Sequence, residues 1–205
     1  MATYETPRTL FFTPHDLTNA YGKYDPNVFK RWVQQGRAKK LRNGLYLSDP
    51  SFIRSEIDMF AVANHLHAPS YVSLHSALSY YSLIPEYVFE VTSITTRKTK
   101  AFQVDDVRYR YRTIKPSLFF GYEKVQWRGR TYNIATREKA ILDLAYLEPQ
   151  FSDPDWLLGM RFDEDELAGG LNWERMWKYG LAMNSQTIMN RITLLYDTYD
   201  IKSSY

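Results

Sequence analysis

The stretch NVFKRWVQQGRAKKLRNGLYL, residues 27–47, decides how the N-terminal part of the chain is expected to fold. Its first half has apolar residues at helical spacing and is followed by Gly36, a residue type that commonly ends helices. Asn43-Gly44 is a strong two-residue turn signal between a basic segment and the apolar segment Leu45-Tyr46-Leu47. The stretch therefore predicts a helix of about ten residues followed by a β-hairpin.

A shorter helix is predicted directly before this stretch. Thr13 is a favourable N-cap and Pro14 suits the first helical position, so we expect a helix from residue 13 to about residue 21. Helix, turn, helix and hairpin in this order are typical of a winged helix-turn-helix. A further helix before Thr13 would have to fit into residues 7–12, which is short for that fold.

Turn residues at 48–50 (SDP) mark the expected boundary between this head and a larger domain. We predict a winged helix-turn-helix domain over 1–50 and a second domain over 51–205. The second domain has predicted helices at 54–65 and 73–83, a mostly antiparallel or mixed sheet over about 88–135, and a helical part over about 136–199. The strands are expected in FEVTSIT, VRYRYRTI, LFFGY, KVQW and TYNIA. The predicted fold class is α+β.

Charge is unevenly distributed along the chain, although the formal net charge is only +3. Residues 1–50 carry a net charge of +4 and residues 95–137 a net charge of +8, whereas 51–94 and 138–205 carry −3 and −6. Two basic segments thus alternate with two acidic ones. This arrangement favours an anionic partner for the basic segments.

The second predicted helix has one apolar face and one polar, basic face. Val28, Phe29, Trp32 and Val33 are expected to pack inward. The opposite face and the basic hairpin that follows carry residue types that bind phosphates and base edges, although a solvated helix face would have the same composition. The candidate DNA-binding residues are Asn27, Lys30, Arg31, Gln34, Arg37, Lys39, Lys40 and Arg42.

A second set of basic residues lies in the predicted sheet. Arginines alternate with apolar residues in VRYRYR and are therefore expected on one face of a strand. They are candidates for binding nucleic acid or an acidic partner, and pairing with the acidic C-terminal segment is the alternative. This possible partner or nucleic-acid surface consists of Arg97, Lys98, Lys100, Arg108, Arg110 and Arg112.

The sequence offers little support for catalysis, a metal or a cofactor. His65 and His67 have no matching third ligand motif, and the acidic run 163–166 lacks the spacing of a calcium loop. The glycines form no phosphate-binding pattern. We therefore expect no catalytic residue, no metal and no cofactor.

No part of the sequence predicts a membrane span. The segment MATYETPRTLFF lacks the basic and long apolar regions of a signal peptide, and no apolar run is long enough to cross a bilayer. The chain also has no cysteine, which is weakly indicative of a reducing compartment. These features predict a cytoplasmic protein with no membrane partner.

Three segments in this order resemble the AbiEi antitoxins of type IV toxin-antitoxin systems. They are 41–46 (LRNGLY), 71–78 with 83–85 (YVSLHSAL and LIP), and 134–135 with 138–144 (IA and EKAILDL). The resemblance covers most of the chain. It implies a head that binds repeats in its own promoter and represses the operon, and a C-terminal domain that neutralises a nucleotidyltransferase-like toxin, with or without direct contact. Helix-turn-helix proteins usually bind two half-sites, so a homodimer on DNA is also expected.

Several polar residues within these segments have two interpretations. Ser73, Ser76, Glu138, Lys139 and Asp143 form either an internal polar network or a functional surface. Two other classes of protein remain as alternatives to the antitoxin. One is an adaptor that binds a protein partner through its basic strands, and the other is a nuclease in which Glu138, Lys139 and Asp143 act with a metal.

Overall fold

A computed structural model of the chain describes residues 4–53, 56–86, 90–127 and 130–201. The N-terminal part contains strand β1 (Phe11–Phe12), helices α1 (Pro14–Tyr21) and α2 (Val28–Gln34), and strands β2 (Lys39–Arg42) and β3 (Leu45–Leu47). The three strands form an antiparallel sheet in the order β1-β3-β2. The order of helices and hairpin is the predicted one, and its interpretation as a winged helix-turn-helix stays a prediction.

Local signals explain where these elements begin and end. The Asp16 carboxylate accepts hydrogen bonds from the backbone amide and the hydroxyl of Thr13, at 2.7 and 2.8 Å, and so satisfies the start of α1. Helix α2 ends at Gln34, and Gly36 follows with a φ of +66° that favours glycine. The helix has 7 residues and is shorter than predicted.

Aromatic packing holds α1, α2 and the hairpin together. Phe12, Leu17, Phe29 and Trp32 are buried in one small cluster. The rings of Phe29 and Tyr46 stack with centroids 4.6 Å apart. Because these side chains come from both helices and from two strands, the head has an apolar centre of its own.

The larger part of the molecule is built on a six-stranded sheet. Its elements up to the end of the sheet are helix α3 (Glu56–Leu66), strand β4 (Ser70–Val72), helix α4 (Leu74–Tyr80) and strands β5 (Glu90–Thr95), β6 (Lys100–Val104), β7 (Val107–Thr113), β8 (Tyr122–Trp127) and β9 (Arg130–Ala135). The strand order is β6-β7-β5-β4-β9-β8. The pairs β5–β7 and β4–β9 are parallel and the others antiparallel, so the sheet is mixed.

Helices cover both faces of this sheet. The Tyr111 hydroxyl donates to the Ala63 carbonyl in α3, whereas Arg112 pairs with Glu148 directly after helix α5 (Arg137–Leu147). Since neighbouring strand residues point to opposite faces, α3 and α5 lie on opposite sides. Helices α6 (Pro154–Gly159), α7 (Trp173–Ala182) and α8 (Gln186–Thr198) complete the chain. The predicted α+β class, with a mixed sheet flanked by helices, is confirmed.

Two predictions about the sheet were wrong in detail. The segment LFFGY was expected to be a strand, but residues Pro116–Leu118 form a 3-10 turn and β8 begins only at Tyr122. Proline lacks the amide that a sheet ladder needs, and its fixed φ suits a turn. The strands β4 and β6 were not predicted at all.

The head and the larger part share apolar contacts. Leu41, Leu45 and Leu47 of the hairpin belong to the large core, together with Phe52. The ring of Phe11 in β1 stacks on His65 in α3, with centroids 3.8 Å apart. The predicted domain boundary at residue 50 stays a prediction. Apolar side chains from both sides of residue 50 pack in the same core.

The described helices include none that combines the length and the apolar character needed to cross a membrane.

A fully buried ion pair joins α5 to the centre of the sheet. Lys139 contacts the Asp143 carboxylate, and both side chains are almost completely excluded from solvent. The same carboxylate accepts hydrogen bonds from the hydroxyls of Tyr71, at 2.9 Å, and Ser73, at 2.7 Å. The Lys139 ammonium also donates to the Tyr71 hydroxyl at 3.0 Å. Ser73, Lys139 and Asp143 thus form an internal network, one of the two interpretations of these residues.

Replacing Asp143 by Ala is expected to lower the free energy of unfolding by about 3–5 kcal/mol, because Lys139 would remain buried without its counter-charge. Urea denaturation at neutral pH measures this change. The matched control is Asp197→Ala on the exposed side of α8, which should change stability by less than about 0.5 kcal/mol. Equal stability of the two variants would contradict the prediction.

Candidate nucleic-acid interface

Helix α2 turns a polar face to solvent. Val28, Phe29 and Trp32 are buried, as predicted, whereas Lys30 and Gln34 on the other side are exposed. Val33 was expected in the core, but 39% of its surface is exposed. The prediction was wrong because Val33 lies at the edge of the apolar stripe, about 100° around the helix from Trp32.

Two candidate residues of α2 are held by Asp25. The Arg31 guanidinium pairs with the Asp25 carboxylate at 2.7 Å. The backbone amide of Asn27 donates to the same carboxylate at 2.9 Å, and its side-chain amide donates at 3.1 Å. The Asn27 backbone hydrogen bond and the Arg31 hydrogen bond lower the pKa of Asp25 below its usual value. The positive charge of Arg31 is therefore partly neutralised at one edge of the helix. Lys30 and Gln34 lie on the face that is exposed to solvent.

The residues of the hairpin have different roles, although the sequence grouped them. Lys40 is exposed on β2. Lys39 pairs with Asp105 in the turn between β6 and β7. The Arg42 guanidinium donates from Nε to the Leu66 carbonyl at 2.8 Å and from Nη1 to the Asn43 carbonyl at 2.9 Å. Lys39 and Arg42 thus connect the hairpin to the larger part of the molecule.

Arg37, between α2 and the hairpin, is exposed, and its guanidinium carbon lies 5.8 Å from the ring centre of Trp32. Its planar charged group remains accessible above an aromatic ring that is otherwise buried. This position keeps a cation at the junction of α2 and β2.

The loop between β5 and β6 brings the second basic segment to the hairpin. Arg97, Lys98 and Lys100 are all exposed, and the His67 ring donates from Nε2 to the Lys98 carbonyl at 3.1 Å. Burial is the main reason why the pKa of His67 lies below its usual value, and the hydrogen bond to Lys98 opposes this shift. The positive charges of Arg97, Lys100 and Arg42 lower the same pKa further. Cations from the hairpin and from the segment 97–100 therefore both act on one imidazole.

We call this combined surface the basic face. Most of its members are exposed, and Arg42 is included because its charge acts on His67. The members come from α2, the residue that joins α2 to the hairpin, the hairpin itself and the segment 97–100. The basic face consists of Lys30, Arg37, Lys40, Arg42, Arg97, Lys98 and Lys100. The sequence identified its members in two separate segments but gave no indication that Arg42 binds the Leu66 carbonyl and that the adjacent His67 binds the Lys98 carbonyl.

The arginines of β7 lie on one face, as predicted, but all three form ion pairs within the molecule. Arg108 and Arg110 lie 3.8 and 3.3 Å from the same Glu90 carboxylate oxygen. Arg112 pairs with Glu148 at 2.8 Å. The pairing with the acidic C-terminal segment thus holds for Arg112, whereas Arg108 and Arg110 pair with a residue of the neighbouring strand β5. This face has less free positive charge than the sequence suggested.

The residues proposed for a nuclease are not arranged as an open site. Glu138 is 2% exposed, and its carboxylate accepts the backbone amide of Asn172 at 2.9 Å and lies 3.6 Å from the Arg175 guanidinium. Lys139 and Asp143 are bound to each other in the core. Within the described ranges, no three His, Asp or Glu side chains are grouped so that they could hold a metal ion. A substrate could reach Asp143 only after the core had opened.

Comparison of the sequence with protein-family models and with curated proteins found no match in either set.

Arg42→Ala and Lys40→Ala are expected to separate the structural from the surface role of the hairpin cations. Loss of the two hydrogen bonds of Arg42 should lower the free energy of unfolding by about 1.5 kcal/mol. Removing the exposed Lys40 side chain should change it by less than about 0.5 kcal/mol. Chemical denaturation of both variants measures the difference, and a larger loss in Lys40→Ala would contradict the assignment.

Proposed function

We propose that the protein is an autoregulatory antitoxin of a bacterial toxin-antitoxin system, which represses its own operon by binding promoter DNA through the basic face. The observation that carries the DNA-binding part is the free charge of that face. Among the described residues, no carboxylate lies within ion-pair distance of Lys30, Lys40, Arg97 or Lys98. All four side chains are exposed.

The geometry of α2 and the hairpin supports one mode of binding. In helix-turn-helix proteins the second helix enters the major groove, and a wing contacts the adjacent backbone. Here Lys30 and Gln34 would approach base edges and phosphates from α2, and Lys40 would contact phosphates from the hairpin. The loop with Arg97 and Lys98 would extend the phosphate contacts along the duplex.

The antitoxin part of the proposal comes from the resemblance to the AbiEi family. The cognate partner would be a nucleotidyltransferase-like toxin, neutralised by the larger part of the molecule with or without a stable complex. A repressor with one helix-turn-helix per chain commonly binds as a homodimer to two half-sites about one duplex turn apart. The proposal implies a cytoplasmic location, since the operon DNA and the toxin are there.

An adaptor without DNA binding is the competing function. It would use the arginines of β7 to bind an acidic protein, but those side chains already pair with Glu90 and Glu148. A partner would have to replace these ion pairs. The exposed cations of the basic face need no such exchange, and for this reason we favour DNA.

The double variant Lys30→Ala, Lys40→Ala should bind the upstream DNA of the operon more weakly and with a shallower salt dependence. Each lost phosphate contact reduces the slope of log K against log salt by about 0.9, so a decrease of about 1.8 is expected. Fluorescence anisotropy at several salt concentrations measures the slope.

The matched control for this experiment removes the same charge elsewhere. Lys124 lies on β8, at the opposite edge of the sheet from β6, and Lys178 lies exposed on α7. The double variant Lys124→Ala, Lys178→Ala should keep the slope of the unmodified protein. If the slope of log K against log salt decreases equally in both double variants, binding depends on the net charge of the protein and the basic face is not the binding surface.

Antitoxin activity is tested in cells that express the toxin encoded beside this chain. The unmodified protein should restore growth, and the double variant Lys30→Ala, Lys40→Ala should restore it equally well when both are produced from an unrelated promoter. The reason is that neutralisation is proposed to depend on the larger part of the molecule. No rescue by the unmodified protein would contradict the antitoxin function and leave the DNA-binding function to the anisotropy experiment.

A further inference from the structure

Val33 is an apolar side chain that the fold leaves partly exposed. The other apolar residues of α2, Val28, Phe29 and Trp32, are 2%, 8% and 2% exposed, whereas Val33 is 39% exposed. Full burial of a valine side chain would contribute about 1.5 kcal/mol or more. Helix α2 forgoes part of this contribution at one of its 7 residues.

The neighbours of Val33 on the helix surface are hydrogen-bond donors and cations. Lys30 lies one turn before it and Gln34 directly after it, and both are exposed. Arg37 follows just beyond the end of the helix and is also exposed. The solvent-facing side of α2 therefore carries a cation, Lys30, one turn before this methyl-bearing side chain, and the hydrogen-bonding amide of Gln34 lies on the same open side of the helix.

The chemistry of a partner for this surface follows from its composition. It must offer negative charge and hydrogen-bond acceptors, together with a small apolar group between them. The major groove of DNA provides phosphates, the acceptor atoms of base edges and one exposed apolar group, the 5-methyl group of thymine. We propose that Val33 packs against a thymine methyl group and makes the head selective for thymine at that position. This inference rests on the proposed DNA-binding function and adds a base preference to it.

The experiment removes the methyl group from the DNA and the side chain from the protein in turn. Upstream DNA in which thymines are randomly replaced by uracil is divided into bound and free fractions, and cleavage at uracil maps the positions that weaken binding. The unmodified protein should show interference at one or a few thymines. A single uracil at such a position should lower the affinity about fourfold, the value for one buried methyl group.

Val33→Ala should lose this sensitivity. The variant should bind thymine-containing DNA about fourfold more weakly and should not distinguish it from the uracil-containing duplex. Leu181→Ala is the matched control, because Leu181 is 67% exposed on α7 and its removal should leave the uracil interference unchanged. Circular dichroism checks that both variants are folded. The uracil interference of the unmodified protein tests the proposal without any variant.

The outcomes separate the two proposals. Preferential binding of the upstream DNA without any uracil-sensitive position, or with the same sensitive positions in Val33→Ala, would overturn the role of Val33 and leave the proposed function standing. Absence of preferential binding would overturn both. If Val33→Ala instead weakens self-association, measured by analytical ultracentrifugation without DNA, a second copy of the chain covers Val33 and the thymine contact is wrong.

Discussion

The carboxylate of Asp143 accepts hydrogen bonds from three donors in the buried core, and these bonds join α5 to β4 and to the start of α4. Tyr71 and Ser73 come from β4 and from the cap of α4, and Lys139 comes from the same helix as Asp143. A buried charge without partners would cost several kcal/mol, so β4 and α5 are strongly favoured in this relative position. The central strand β4 has only three residues, and this network adds a specific contact that its short hydrogen-bond ladder could not provide.

The basic face depends on that frame through the hairpin. Arg42 donates to the last carbonyl of α3, and α3 packs on β4 and β9. The hairpin is therefore positioned by the larger part of the molecule and not by the head alone.

Most elements of the fold could be predicted because their signals are local. The N-cap Thr13, the helix starts near Ser73 and Thr136 and the turn Asn43-Gly44 were predicted from adjacent residues. The elements that could not be predicted depend on distant partners. Strand β4 has three residues and pairs with β5 and β9, and β6 is an edge strand whose residues show no regular burial pattern.

The same distinction applies to the candidate site. Exposure of Lys30 and Gln34 followed from helical periodicity, because the buried residues of α2 determine its free face. The partner of Lys39 is 66 residues away in sequence, and Arg108 meets Glu90 only because β5 and β7 are parallel neighbours. Neither contact can be predicted from the composition of the basic segments, and both reduce the positive charge that is available to a ligand.

The leucines of the hairpin limit how this head could be exchanged during evolution. Leu41, Leu45 and Leu47 point into the large core and are at most 4% exposed. A head taken from another protein would have to present three apolar side chains at the same positions or leave a cavity in the core. Point substitutions on the exposed face of α2 meet no such requirement, so the outer surface of the head can change much more freely than the head as a whole.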